Sequence, residues 1–315
     1  KHKHMRQTTI GSVYDEWIKM KRRMVRNSTV ATYSTIAEKH ILPALGSMHT
    51  IDDAGMQAFI ETMTEEGLSP KMVKDVVAVL RMVMAYGKKR GFTEWHDWDV
   101  RMPPSNGTGD VRVLTYTQQR ALMKHLRLNF SLRGLGIYMC LCTGMRIGEI
   151  CALKWSDIDM HSRLISINHT IERIYDRNNW PKRTKVVINT PKTASSRREI
   201  PMSPDLASML RPMMALANTD NYVLSNTAKP VEPRVFRHYY QQLMKRLGLP
   251  PMKFHGLRHT FATRCIESRC DYKTLSAILG HASINTTLNL YVHPDMSQKR
   301  RCINKMMRTV MREEK

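Results

Sequence analysis

The chain of 315 residues has no uninterrupted apolar run approaching the ~20 residues a membrane-crossing helix needs, so nothing in it reads as a membrane span. Its start, Lys1-His2-Lys3-His4-Met5, lacks the order of a secretory leader and is not an initiator methionine. It reads as an added tail or as a cut from a longer protein. The cysteines at 140, 142, 151, 265, 270 and 302 form no C-x-x-C pair, which argues against a zinc site and for reduced, buried thiols in a cytoplasmic protein. The 24 methionines form no Met-x-x-Met cluster beside histidine, and are read as core fillers, not copper ligands. Acidic residues are scarce: 27 Asp and Glu stand against 50 Lys and Arg, a formal net charge of +23. Such an excess repels itself unless its partner is a polyanion, and nucleic acid is the economical partner, ahead of an anionic membrane surface.

What is present centres on residues 255–291. His255-Gly-Leu-Arg258-His259-Thr260 opens a segment in which Leu257, Phe261 and Cys265 recur every four positions, the spacing of one helix face. Asp271 is a good N-cap for a second helix burying Leu275, Ile278 and Leu279. Gly280 fits the left-handed stop that leaves His281 just outside. A third helix from Ser283 carries Ile284, Leu288 and Tyr291 at i, i+4 and i+7. Two imidazoles, a guanidinium and a phenol thus stand near helix ends. A guanidinium matches two phosphate oxygens, and a histidine beside it donates a hydrogen bond or moves a proton. A tyrosine, with a free pKa of about 10, attacks at neutral pH only beside cations or a base. Taken alone, Tyr291 reads first as a core tyrosine and His281 first as a helix-end cation facing the dipole; only the joint pattern and what lies upstream favour chemistry.

Upstream lie Thr143-Gly144-Met145-Arg146-Ile147-Gly148-Glu149 and Thr190-Pro191-Lys192-Thr193-Ala-Ser-Ser-Arg-Arg-Glu-Ile200-Pro201. With these in view the chain resembles a tyrosine recombinase, the phage-integrase family, whose ordered pattern of Arg, Lys, His-x-x-Arg, His and Tyr is filled by Arg146, Lys192, His255, Arg258, His281 and Tyr291. The resemblance implies a mainly α fold with a small β-sheet: a helical core-binding domain and a catalytic domain forming a clamp around DNA. It implies that Tyr291 attacks a DNA strand to form a 3′-phosphotyrosyl link, with Arg146 and Arg258 on the non-bridging oxygens and His281 adding a hydrogen bond. His255 takes the tyrosine proton or positions the phosphate, and Lys192 protonates the leaving 5′ oxygen. No metal, nucleotide or other cofactor is needed. Implied partners are double-stranded DNA at element ends and target, further copies in a synaptic tetramer, and an accessory directionality factor; no membrane is implied. A chromosome-resolving recombinase of the same family is the alternative, followed by an inactive DNA-binding accessory protein or a type IB-like topoisomerase. Many integrases of this kind carry a small domain ahead for accessory DNA sites, which the cut reading removes.

Residues 9–100 read as the core-binding domain, with four helical patterns. The second is expected to be capped by Ser28 and stopped by Pro43, and the fourth to run from Ser69-Pro70 to about Arg90. On the fourth, Lys74, Arg81 and Lys88 make a basic stripe, read either as a solvated face or as a DNA contact. The stretch Ala31-Thr-Tyr33 through His40-Ile41-Leu-Pro43-Ala-Leu-Gly46 also resembles the family's core-binding domain. Residues 101–112, rich in Pro and Gly, read as a linker, and 113–315 as the catalytic domain ending in an apolar-faced helix through Ile303, Met306, Met307 and Val310. That face packs either on its own domain or on a neighbouring subunit. Thr115 with Gln118 reads as a capping box. Arg146 is expected at a helix start, oriented by Glu149. Leu164 to Ile174 suggests one strand, Val186–Ile188 another and Arg198–Ile200 a third, with Lys192 at a hairpin tip between the last two. Residues 175–185, with Lys182 and Arg183, extend the preceding hairpin and are read as a DNA-touching flap or a plain loop.

Overall fold

The computed structural model describes residues 8–104, 112–176, 179, 182–191, 194–291, 300, 303, 304, 306, 307 and 311, with the backbone alone at 194, 286 and 289–291. Most of the expected linker, and Lys192, Val310 and the Tyr291 side chain, lie outside what is described. The chain forms two compact units: 1–109 together with 173–187, and 110–172 together with 188–315. Among the described residues no helix is long and apolar enough to cross a membrane.

In the first unit, α1 (Ile10–Met24) starts at Thr9, whose hydroxyl accepts from the Ser12 amide, and buries Ile10, Val13, Tyr14, Trp17 and Ile18. α2 (Asn27–Ile36) begins earlier than expected: Arg26 is its cap and Ser28 lies inside the first turn. Nor does Pro43 stop it. The helix passes through a π-helical turn, Ala37–Ile41, into α3 (Leu42–Leu45), with Pro43 in the first turn of α3. There a missing N–H is tolerated, and the widened turn absorbs the change of hydrogen-bond register ahead of the proline. α4 (Asp53–Glu65) is capped by Asp52 and followed by Gly67 at φ +82°. α5 (Pro70–Arg90) has its expected Ser69 cap and first-turn proline, is stopped by Gly91 in the left-handed conformation, and buries Val73, Val76, Val77, Leu80, Val83 and Met84. Each such side chain contributes about 1.5–3 kcal/mol on burial. The tail of the unit is pinned back by Trp98, whose indole donates to the Ile51 carbonyl at 2.9 Å.

In the second unit, α6 (Tyr116–Leu128) carries the Thr115–Gln118 capping box. Arg264 of α11 (His255–Glu267) locks that end, donating to Gln119 and to the Leu114 carbonyl while stacking 3.8 Å over Tyr116. α7 (Leu132–Thr143) is buried almost all round, and α8 (Ile147–Ala152) follows it. The sheet differs from expectation. Residues 164–174 are two strands in different sheets, broken where Asn168 donates to Asp157 at 2.9 Å. β1 (Ile158–Asp159), β2 (Leu164–Ile167) and β5 (Arg198–Pro201) form one antiparallel sheet in the order β1-β2-β5, with Ile165 opposite Ile158 and Ile200. β3 (Thr170–Tyr175) and β4 (Thr184–Asn189) form a separate ribbon. β4 and β5 therefore lie in different sheets and do not pair as a hairpin; Lys192, expected at its tip, lies outside the described residues. α9 (Pro204–Met214) and α10 (Pro233–Arg246) precede α11, and α12 (Tyr272–Leu279) and α13 (Ile284–Tyr291) follow it.

The ribbon's outer part, 173–187, groups with the first unit, where the Tyr175 hydroxyl donates to Glu38 at 2.7 Å.

Candidate active site

Two left-handed glycines shape the site. Gly144 ends α7 at φ +66°, and a Cβ there would stand 2.6 Å from Phe261 and 2.7 Å from Leu279. Only glycine lets the end of α7 approach α11 and α12 so closely. Gly280 ends α12 at φ +64° and hands the chain to His281.

Arg146 is the cap residue of α8. Its own amide donates to Glu149 Oε2 at 2.9 Å, and its Nη1 donates to Oε1 at 2.8 Å. Its Nη2 reaches the Gly280 carbonyl at 3.0 Å. Arg258, only 1 % exposed, sits in the first turn of α11 and donates to the carbonyls of Gly144 at 2.8 Å and Leu279 at 2.7 Å. A further arginine not expected from the sequence completes the set: Arg198, at the start of β5, donates to the Ile278 carbonyl at 2.5 Å and to both oxygens of Glu149. The carbonyls of Ile278, Leu279 and Gly280 thus accept from Arg198, Arg258 and Arg146 respectively. The end of α12, where carbonyls lack helical partners and the dipole is negative, is held by guanidinium groups. Burial alone would raise the Glu149 carboxyl, but the Arg198 hydrogen bond and charge, then Arg146, outweigh it and hold its pKa below the ordinary value.

The histidines lie on the same cluster. His281 bonds through Nδ1 with the buried Thr287 hydroxyl of α13 at 2.8 Å. Burial, then the charges of Arg258, Arg146 and Arg198, push its pKa down to about 4. His255, the first residue of α11, has its solvent-facing ring edge to His259 with ring centroids 4.6 Å apart. Partial desolvation, then His259, Arg258 and Arg146, press it down to about 4 as well. Both imidazoles are therefore neutral at pH 7 before any anion arrives, and beside one they can donate from one nitrogen and accept at the other.

Of the residues singled out in the sequence, the structure brings together Arg146, His255, Arg258 and His281, and places the backbone of Tyr291 in α13. At its start α13 does not bury the expected face: Ile284 is 40 % exposed, and among the described side chains of the helix Thr287 is the buried one. Lys74 and Lys88 stand exposed on α5. Arg81 is instead committed to Asp97 at 2.8 Å and to the Trp98 carbonyl. Lys182 and Arg183 are exposed in the turn of the ribbon.

Residues 112–298 match the phage integrase family, and residues 9–63 match its N-terminal SAM-like domain. The chain belongs to the phage integrase family. Among similar tyrosine recombinases, a XerC-like protein of Caldanaerobacter subterraneus subsp. tengcongensis is 24% identical over 266 residues, covering 78% of this chain and 68% of the relative. The transposase of transposon Tn916 from Enterococcus faecalis is 28% identical over 215 residues, 62% of this chain, and the match spans 51% of the transposase's length. The Tn1549 transposon integrase, solved with transposon right-end DNA, shares the fold at a TM-score of 0.80 and 21% identity, covering 95% of this chain and 100% of that one. A lambda integrase tetramer bound to a Holliday junction superposes with a TM-score of 0.66 at 18% identity, covering 93% and 82%. The mainly helical architecture with small antiparallel sheets is thus that of a tyrosine recombinase.

Proposed function

We propose that this recombinase cuts and rejoins duplex DNA at the ends of a mobile element, with Tyr291 as nucleophile. The observation that carries the reading is the convergence of Arg146, Arg258 and His281 on the end of α12, one turn of chain before the helix that includes Tyr291. The phenol oxygen bonds to phosphorus, its proton passing to neutral His255, and the 5′ oxygen of the next nucleotide leaves. Lys192 is the group assigned to protonate that oxygen. Arg146 and Arg258 stabilise charge growing on the non-bridging oxygens, the largest contribution in such transfers. The phosphotyrosyl bond stores the energy of the broken one, so the strand is rejoined by reversal onto a new 5′ hydroxyl.

In this reading both units grip the duplex, through Lys74 and Lys88 on α5 and through Lys182 and Arg183 in the ribbon. Strand exchange takes a tetramer. Ile303, Met306 and Met307 are 59%, 51% and 47% exposed, which favours their packing on a neighbouring subunit over their own. An accessory directionality factor and a cytoplasmic site of action belong to the same reading. The test is incubation with nicked duplexes carrying the element's ends. A protein–DNA adduct resistant to denaturant is expected, and Tyr291→Phe abolishes it; adducts from Tyr291→Phe would contradict the assignment.

A further inference from the structure

We propose that Arg198 is a positioning residue of the recombination site, a further guanidinium that fixes the turn presenting His281 and, through Glu149, the angle of Arg146. The inference rests on the site reading above. Arg198 alternates with Ile200 along β5, and Ile200 is 1% exposed against Ile165, so the arginine shares the buried face of a strand. Its side chain is 6% exposed, and its donors go to the Ile278 carbonyl, the Ser196 carbonyl and both oxygens of Glu149. A buried guanidinium is costly to desolvate and is tolerated only when its hydrogen bonds are made. Here they are made to the two features on which the site depends.

The first is the end of α12. A Cβ on Gly280 would lie 2.9 Å from Arg198 Nη1 and 3.1 Å from its Cζ, so the guanidinium packs directly against the turn that leads into His281. The same turn offers the carbonyl that Arg146 Nη2 holds. The second is Glu149: its Oε1 accepts from both Arg146 and Arg198, and its Oε2 from Arg198 and the Arg146 amide. The carboxylate cannot rotate toward Arg146 without giving up Arg198. A lysine at 198 supplies a point charge without the planar fork and cannot hold Ile278 and both carboxylate oxygens together. Arg198 is enclosed by protein, so its effect on a bound phosphate is exerted through Arg146 and His281.

The experiment compares the full chain with Arg198→Lys, Arg198→Gln, Arg146→Lys, Arg198→Lys/Arg146→Lys and Tyr291→Phe. Duplex affinity, thermal midpoint and single-turnover adduct formation are measured on a nicked end-sequence duplex, with the imidazole titrations followed by NMR. Arg198→Lys is expected to keep duplex affinity within about threefold and slow adduct formation at least about thirtyfold. The double variant is expected to be no more than about threefold slower than Arg146→Lys, since residues acting through one shared partner are not additive. In Arg198→Gln, which removes a nearby positive charge, the His281 titration moves upward. Wild-type cleavage by Arg198→Lys, parallel loss of binding and cleavage, full additivity with Arg146→Lys, or failure of both Arg198 variants to fold would each overturn the positioning role. If Arg146→Lys and Tyr291→Phe cleave like wild type, the site reading itself falls, a result distinct from any of these.

Discussion

The guanidinium of Arg146 donates from Nη2 to the carbonyl oxygen of Gly280 at 3.0 Å, joining the start of α8 to the end of α12 across 134 residues of sequence. With its Nη1 on Glu149, Arg146 is held at two points, and its charge acts on His281.

Arg146→Lys is therefore expected to bind end-sequence duplex normally and to lose at least about 100-fold in adduct formation, because lysine cannot hold two phosphate oxygens in a bidentate fork. Single-turnover cleavage beside a gel-shift titration checks this. Equal losses in both would mean that Arg146 serves binding alone.

Thr287→Val removes the hydroxyl that meets His281 Nδ1 while keeping the shape of a buried side chain. Freed from that partner, the imidazole loses its fixed orientation. Cleavage is expected to fall about tenfold, equivalent to about 1.4 kcal/mol of barrier, with the thermal midpoint little changed.

The basic residues of α5 should separate by role. Replacing Lys74 and Lys88 with alanine is expected to weaken duplex binding and to reduce the slope of log affinity against log salt by about 0.9 for each phosphate that is no longer neutralised. Arg81→Ala, which breaks the bond to Asp97 and the Trp98 carbonyl, is expected to leave the slope unchanged and to lower the midpoint instead.

Acid should loosen the second unit in two stages. The imidazoles of His255 and His281 titrate near 4 in the fold against an ordinary 6.5, so between those values the unfolded chain binds protons that the folded chain refuses. Stability is whole above pH 6.5 and declines as pH falls toward 4. Glu149, held below its ordinary 4.5, keeps its contribution above that value and loses it as pH falls through its folded pKa. Melting curves from pH 7.5 to 3.5 are expected to show both stages. His281→Asn should flatten the upper one.

Much of this was readable locally. The Ser69-Pro70 start, the Thr115–Gln118 box and the stop at Gly280 are short-range devices, and each forms where its residues stand. The π-helical turn before Pro43 was hidden because an apolar pattern of helical period does not reveal a local change of hydrogen-bond register. Strand pairing failed for a different reason: whether β4 meets β3 or β5 depends on packing between residues remote in sequence. Arg198 had a usable signal, an arginine two residues before a buried isoleucine on a strand, which requires a buried anion opposite. Thr287 had none, since the i, i+4, i+7 pattern pointed to Ile284 and Leu288.

The central assignment is tested most directly by mapping the trapped adduct. After trypsin and nuclease digestion, the nucleotide-bearing peptide is expected to be 274–299, in which Tyr291 is the only tyrosine, with the nucleotide joined through its 3′ phosphate. A nucleotide on any other residue, or one joined through a 5′ phosphate, would contradict it.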